Sequence, residues 1–250
     1  MISIDDITRL AKANKLKPYQ QEKNYIQTVT LSGIYTALVD ELIFKGGTAL
    51  FFFYGLDRFS EDLDFTQTKQ YNYNQLKDTI SDIFTILNVN HEIKKGKSIR
   101  GKALKVKAEG PLYKGPLSTS VVSIEISERK DIVLKPDIKE MVPMYDDLRP
   151  FTIPVMKKEE ILAEKVRALI TRKRARDLYD IAFLLKKEAD WKDDLINKKL
   201  SYYNKTFNQE EFKIQASSIK NIWQSELHGL VTKLPPFNEV LNLALNPLKQ

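Results

Sequence analysis

A short apolar run, a glycine pair and two alternating aspartates follow one another in the segment that most constrains the fold. The run Leu42–Phe44 has the length and composition of a buried strand, and it leads directly into Gly46–Gly47. A brief helix is predicted from Thr48, and a loop then leads to a second strand that carries Asp62 and Asp64. Because this order joins two strands through a glycine turn and a helix, it predicts a domain built on a sheet.

The hydrophobic period changes along the chain, and the changes predict two domains. Helices are expected at 5–14, 20–41 and 73–87, the second with a buried stripe of Ile26, Val29, Ile34, Leu38 and Val39. A strand, a turn and a strand are expected in 91–108, and a further strand in 119–129. Prolines 136, 143, 150 and 154 predict an irregular connection that ends the sheet-bearing part. Helices are expected beyond it, at 157–171, at 175–187 and in stretches to about 246. The fold class is therefore α+β, with a sheet domain over 1–155 and a helical domain over 156–250.

Composition excludes several classes of site. The chain has no cysteine and two histidines, so disulfides, thiolate metal sites, histidine-based zinc sites and serine triads are not expected. The first residues lack a basic segment followed by an apolar core, and no apolar run is long enough to span a bilayer. We therefore expect a soluble cytoplasmic protein without a membrane partner. The net charge of +7 favours an anionic partner.

The glycine pair indicates a phosphate site. Backbone N–H groups of Gly46–Gly47 can approach a phosphate closely, and the start of the following helix adds positive potential. Thr48 can cap that helix and contact the phosphate. Lys45 and Arg58 are candidate phosphate or base contacts, and Ser60 is a further nucleotide-binding candidate. The alternatives are an ordinary tight turn, surface charges beside a loop and, for Ser60, a residue that only shapes the turn.

Three carboxylates indicate a metal site. Asp62 and Asp64 are two residues apart on a predicted strand, so they project from the same face and can converge on one cation. Glu125 lies on a strand rich in β-branched residues, where a buried carboxylate requires a partner or a metal. Two Mg²⁺ ions held by these residues would suit phosphoryl transfer. The alternatives place both aspartates in water at a sheet edge and Glu125 on the solvent face.

The order of these features resembles the nucleotidyltransferase superfamily related to polymerase β. Within it, the chain resembles the AbiEii/AbiGii toxin family over about Leu42 to Leu185. The segments that carry this resemblance are KGGTAL, RFSEDLDF and EEILAEKVRALITRKRARDLYDIAFLL. The resemblance implies a nucleotidyltransferase core with a mixed sheet, followed by a helical lobe that contributes lysine and aspartate motifs to the cleft. It also implies an NTP substrate, Mg²⁺, and a role as the toxin of a toxin–antitoxin or abortive-infection system. A cognate antitoxin is then a further expected partner.

The resemblance also implies roles for individual residues. Lys165 matches the lysine of the family's third motif, and Asp177 or Asp180 matches the aspartate of its fourth. Without the resemblance, Lys165 reads as a solvated helix lysine, and Asp177 reads as an N-cap of a helix beginning at Leu178. Some relatives add nucleotides to the 3′ end of tRNA, so an RNA acceptor is expected here.

Two basic clusters agree with a nucleic-acid partner. Residues 94–107 contain seven basic side chains and no acidic one, and Arg172–Arg176 forms a basic junction between two helices. The alternative is a pair of solvated faces. Three other functions stay open: transfer to a small molecule such as an aminoglycoside, transfer to a protein, and a non-catalytic nucleic-acid-binding module.

Overall fold

The computed structural model describes residues 1–98 and 101–249. Its helices are α1 Ile4–Ala13, α2 Pro18–Ala37, α3 Gly46–Tyr54, α4 Tyr73–Ile86, α5 Lys158–Arg172, α6 Ala175–Lys186, α7 Asp193–Ser201, α8 Gln209–Ser218, α9 Trp223–Leu227 and α10 Phe237–Leu245. Its strands are β1 Leu42–Lys45, β2 Leu63–Gln67, β3 His91–Lys95, β4 Gly101–Ala108, β5 Ser120–Ser127, β6 Asp137–Met141 and β7 Phe151–Val155. No helix among these residues is long and apolar enough to cross a membrane.

Within the described residues, the strands form one seven-stranded mixed sheet in the order β3-β4-β5-β2-β1-β7-β6. The pairs β2–β5 and β1–β7 are parallel, and the remaining neighbours are antiparallel. The expected α+β class and mixed sheet are therefore confirmed. The central position of β5 beside β2 brings the two predicted carboxylate-bearing segments next to each other.

The chain forms two compact units. Unit 1 consists of 1–49, 59–132 and 136–155, and unit 2 consists of 50–58, 133–135 and 156–250. The sheet belongs to unit 1, and α5 to α10 belong to unit 2. Two short segments of the first 155 residues, 50–58 and 133–135, thus belong to the helical unit, which hydrophobic period alone does not indicate.

The core of unit 1 includes one face of strand β5. Alternate residues of β5, namely Val122, Ile124 and Ile126, are buried, as the period of two predicts. Helix α2 contacts β5 and packs closely on α4. Gly33 allows this approach, because a Cβ there would lie 3.0 Å from the Cα of Ile80 in α4.

Local signals in the sequence set several helix ends. Ser3 and Asp6 form a capping box at the start of α1, and the side chain of Asn72 accepts hydrogen bonds from the first amides of α4. In unit 2, Lys173 ends α5 in a left-handed conformation with φ 53°. These signals explain why most helix bounds lie within a few residues of the prediction.

Three expectations about the fold are wrong. Helix α3 begins at Gly46 rather than at Thr48, so Thr48 lies within its first turn and is not its N-cap. The proline-rich connection contains β6 and β7 rather than irregular chain. Only Val155 of β7 is in register with β1, opposite Phe44, so the missing amide of Pro154 interrupts little of that ladder. In addition, α2 ends at Ala37 and Val39 is 58% exposed, so Val39 is not part of the buried stripe.

Candidate active site

The glycine turn of unit 1 packs against one of the predicted aspartates. Gly46 begins α3 with φ +72°, a conformation that side chains other than glycine rarely adopt. A Cβ on Gly46 would overlap the carboxylate of Asp64. The Thr48 hydroxyl donates a hydrogen bond to the backbone carbonyl of Asp62. The first turn of α3 is therefore fixed directly against the segment that carries both aspartates.

Strand register sets three charged side chains in one row across the sheet. Asp64 of β2 lies opposite Glu125 of β5 in the parallel pair and opposite Lys45 of β1 in the antiparallel pair. Register partners point to the same face, and in the antiparallel pair their Cβ atoms are about 4.5–5.5 Å apart. The neighbouring pair Leu63 and Ile124 is buried on the other face. The row Lys45, Asp64 and Glu125 thus lies on the face opposite the α2 and α4 side.

Exposure differs along this row. Lys45 is buried at 6% exposure, Asp64 is half-buried and Glu125 is exposed. The alternative of a surface charge is therefore wrong for Lys45. Glu125 is exposed, and its role as a metal ligand stays a prediction. Asp62 is half-buried in a bend immediately before β2, not within the strand as expected.

The row supplies two carboxylates, which form part of a ligand set for a hard divalent cation. Among residues 1–98 and 101–249, no group of three or more His, Cys, Asp or Glu side chains is placed to hold a metal ion. Mg²⁺ commonly uses one or two carboxylates and completes its octahedron with water and substrate phosphates. Asp64 and Glu125 fit that pattern, with Asp62 just before them, and their role as metal ligands stays a prediction.

A second cluster of charged side chains is buried inside unit 2. The Arg58 guanidinium donates from Nε and Nη2 to the two carboxylate oxygens of Asp180, both at 2.7 Å. Lys165 Nζ lies 2.7 Å from Asp180 Oδ2 and 3.3 Å from Asp177 Oδ1. Arg172 completes the cluster with bonds of 2.8 and 2.9 Å to Asp177. Lys165 therefore lies between two aspartates, each of which also holds an arginine.

The electrostatics of this cluster keep both aspartates ionised. Burial raises the pKa of Asp177, but Lys165 and Arg172 outweigh burial, and that pKa is lowered to about 2. Burial likewise opposes ionisation of Asp180, yet Arg58 and Lys165 lower its pKa. Desolvation lowers the pKa of Arg58, and Asp180 more than reverses that effect, so the net direction is upward.

Three alternatives from the sequence are wrong in unit 2. Lys165 is 8% exposed and Arg58 is 2% exposed, so neither is a solvated surface charge. Helix α6 begins at Ala175 with Arg174 as its N-cap, so Asp177 is not the capping residue. Asp177 lies in the first turn, where an aspartate also suits the helix dipole.

Sequence reasoning missed the partner of Asp177 and a further buried ion pair. Arg172 belongs to the predicted basic junction, but its guanidinium donates two hydrogen bonds to the Asp177 carboxylate. Lys199 Nζ lies 2.6 Å from Glu160 Oε1, and both side chains are fully buried. Glu160 also accepts from the amides of Val133 and Leu134, both at 2.8 Å. A glutamate and a lysine 39 residues apart give no local signal of such a pair.

The remaining candidates are positioned as follows. The backbone carbonyl of Ser60 accepts a hydrogen bond of 3.0 Å from the Gln27 side chain, which ties the loop before β2 to α2. Most of the basic hairpin forms β3 and β4, whereas Arg100 lies outside the described residues. In the second basic cluster, Arg174 pairs with Glu226 at 3.0 Å.

Solved structures with this fold include the following three. MenT4, a nucleotidyltransferase toxin from Mycobacterium tuberculosis H37Rv, is 18% identical, with 98% of this chain and 88% of that chain covered and a TM-score of 0.67. A candidate nucleotidyltransferase from H. pylori is 23% identical, with coverage of 92% and 93% and a TM-score of 0.65. JHP933 from Helicobacter pylori is 20% identical, with coverage of 94% and 100% and a TM-score of 0.57. At these identities the likeness establishes the fold.

The family assignment comes from the sequence. No curated protein matches the chain. The family model described as "Nucleotidyl transferase AbiEii toxin, Type IV TA system" matches residues 31–243, a range that includes the glycine turn, the carboxylate row and the buried cluster of unit 2. The resemblance noted from the motifs is thereby confirmed. The chain belongs to the AbiEii family of nucleotidyltransferase toxins of toxin–antitoxin systems.

Proposed function

We propose that this nucleotidyltransferase transfers NMP from an NTP to the 3′ end of an RNA acceptor, tRNA, in a Mg²⁺-dependent reaction that blocks translation and growth. The observation that carries the proposal is the register of β2 and β5, which sets Asp64 beside Glu125 and next to the glycine turn. Phosphoryl transfer depends mainly on positioning and on neutralising charge, and this row offers both.

Different residues of unit 1 have different proposed roles in binding the nucleotide and the metal. The first turn of α3 offers backbone N–H groups and the helix N-terminus to the nucleotide phosphates. Lys45 is buried opposite Asp64 and supplies a positive charge beside that carboxylate. Asp64 and Glu125, with Asp62, would hold Mg²⁺. When bound, Mg²⁺ would activate the acceptor hydroxyl and neutralise the departing pyrophosphate.

The contacts inside unit 2 suggest different roles for its two aspartates. Asp180 is fully buried and holds Arg58, which is itself only 2% exposed, so we assign Asp180 a structural role. Asp177 holds Arg172, whose side chain is 60% exposed, so this side of the cluster reaches solvent. Lys165 is held by both aspartates, and its predicted contact with the nucleotide phosphates stays part of the proposal.

Charge favours RNA over the other acceptors. An aminoglycoside is a cation, and a pocket for it would be acidic, whereas this chain carries a net charge of +7. A phosphate backbone is attracted by the same excess. Recognition is expected to depend on shape and on a free 3′ end rather than on sequence. A cognate antitoxin is the remaining proposed partner, in keeping with the toxin–antitoxin family.

The direct test incubates the purified protein with total bacterial tRNA, Mg²⁺ and each α-labelled NTP in turn. We expect label on tRNA with at least one NTP, and no label after chelation of Mg²⁺. Oxidation of the 3′-terminal ribose of the tRNA by periodate removes the acceptor hydroxyls and should abolish labelling.

The controls separate the rival functions. Asp64→Asn should abolish labelling, whereas Glu92→Gln, which changes an exposed carboxylate on β3, should not. Label on protein or on an added aminoglycoside, with none on tRNA, would keep the enzyme and reject the acceptor. Equal labelling of intact and oxidised tRNA would reject the 3′ end as the site of transfer.

A further inference from the structure

The sheet face that bears Asp64 and Glu125 continues away from them as a row of lysines. On β4, Lys105 and Lys107 have the same parity as Ala103, the register partner of Glu125. Lys94 of β3 lies opposite Lys105. Lys94, Lys105 and Lys107 therefore share the face of the carboxylate row, and we name these three residues the lysine ladder.

The ladder begins close to the carboxylates. Lys105 is the diagonal neighbour of Glu125, and such neighbours are about 7–8 Å apart between backbone positions. Lys107 is two residues further along β4, about 6.6 Å beyond Lys105. The half-buried Ser123 of β5 lies opposite Lys105 and adds a hydroxyl beside it. Positive charge thus extends outward in steps from the proposed site of transfer.

Solvent exposure shows that this part of the face is open. Lys94 and Lys105 are exposed, Lys107 is half-buried, and Glu125 is exposed. In contrast, Leu104 and Val106, which alternate with the ladder residues on β4, are fully buried on the other face. A ligand can therefore reach the ladder without displacing the core.

An acidic side chain, Glu92, lies beside the ladder on the same face. Glu92 of β3 lies opposite Lys107 and pairs with Lys94 at 2.9 Å, with both side chains more than half exposed. Exposed pairs of this kind contribute at most about 1 kcal/mol, so a phosphate can replace Glu92 as the partner of Lys94. Within residues 1–98 and 101–249, Lys105 and Lys107 have no carboxylate within ion-pair distance.

We propose that the lysine ladder binds the phosphates of the acceptor strand immediately before its 3′-terminal nucleotide, and so leads the terminal hydroxyl to the row of Asp64 and Glu125. The inference rests on the proposed transfer to an RNA acceptor. A polyanionic single strand fits because the ladder is basic, open to solvent and continuous with the carboxylate row. The lysines bind the backbone and leave the base sequence unread.

The test measures RNA binding and catalysis separately. Deacylated tRNA with a fluorophore in its body is titrated with wild-type protein and with Lys105→Gln/Lys107→Gln between 50 and 200 mM salt, without NTP. Each phosphate contact in a single strand contributes about 0.7 to the slope of log affinity against log salt. We expect the slope of the double variant to fall by about 1.4 and its affinity at 0.1 M salt to fall roughly tenfold.

Lys95→Gln is the matched control, because Lys95 is an exposed lysine of the same hairpin that pairs with Leu104, on the opposite face. Its slope should equal that of the wild type. Equal slopes for wild type, double variant and control would overturn the inference, as would a wild type that does not bind tRNA.

Catalysis distinguishes this inference from the proposed function. If tRNA is labelled, the double variant should raise the KM for tRNA and leave the KM for NTP unchanged. If the double variant labels tRNA with an unchanged KM for tRNA, the proposed role of the lysine ladder is wrong and the proposed reaction stands. Salt-dependent binding through the ladder without any labelling of RNA would overturn the proposed reaction and leave the ladder as a nucleic-acid surface.

Discussion

The buried cluster of unit 2 gives a prediction whose size follows from its contacts. Asp180 is fully buried, accepts two hydrogen bonds of 2.7 Å from Arg58 and lies 2.7 Å from Lys165. Asp180→Asn keeps the shape but removes the negative charge that is hydrogen-bonded to Arg58, which is buried at 2% exposure. Breaking a buried pair in this way costs about 3–5 kcal/mol.

The assay is urea unfolding of wild type and variant, with the free energy of unfolding extrapolated to water. The matched control is Glu210→Gln, which breaks a pair with Lys213 whose side chains are 75% and 41% exposed. That change should alter the free energy by at most about 1 kcal/mol. An Asp180→Asn variant within about 1 kcal/mol of wild type would refute the view that this cluster stabilises unit 2.

A double replacement tests the same reasoning from the other side. Arg58→Met combined with Asp180→Leu removes both charges together and fills their volume with apolar groups. Buried pairs replaced in this way are often neutral or more stable, so the double variant should unfold at higher urea than Asp180→Asn. A double variant less stable than Asp180→Asn would show that the volume of the site, rather than unpaired charge, sets the loss.

Two further predictions concern other parts of the molecule. Gly46→Ala should abolish transfer and lower the free energy of unfolding by more than about 1 kcal/mol, because the added Cβ would overlap the carboxylate of Asp64. Gly55→Ala is the control, since Gly55 also has a positive φ of +74° but a Cβ there would meet no atom nearer than 4.0 Å. This control variant should retain transfer. Equal activity of the two variants would contradict this. Stability should also fall in acid: the pKa of Asp177 is about 2 in the folded chain against an ordinary 3.8, so its contribution is complete above pH 4 and is lost as pH falls through 2. The difference amounts to roughly 2 kcal/mol, and Asp177→Asn should flatten the stability curve between pH 2 and 4.

Local sequence pattern predicted a large part of the fold. The period of two in β5 correctly separated Val122, Ile124 and Ile126 from the polar face that bears Glu125. The helical period likewise gave α5 and α6 to within one residue at each end. Reading prolines as breakers does not predict β6 and β7, because Pro136, Pro143 and Pro150 lie just outside these strands and Pro154 lies in β7 beside a single register pair with β1.

Local sequence pattern does not predict which residues far apart in the chain become neighbours. Parity placed Asp64 and Glu125 each on a face, but only the parallel register of β2 and β5 makes them neighbours. Arg58 and Asp180 are 122 residues apart, and no periodicity links them. The family resemblance pointed to Lys165 and the two aspartates, and the structure adds which arginine each aspartate holds.

The most direct test of the carboxylate row compares nucleotide transfer by Asp64→Asn, Glu125→Gln and Glu92→Gln at saturating Mg²⁺. Glu125 and Glu92 are both exposed carboxylates of the same sheet, and only Glu125 is in register with Asp64. We predict that Asp64→Asn and Glu125→Gln each reduce transfer at least about a hundredfold, with unchanged unfolding for Glu125→Gln, and that Glu92→Gln retains transfer. Transfer by Glu125→Gln within a few-fold of wild type would contradict the assignment of this row as the active site.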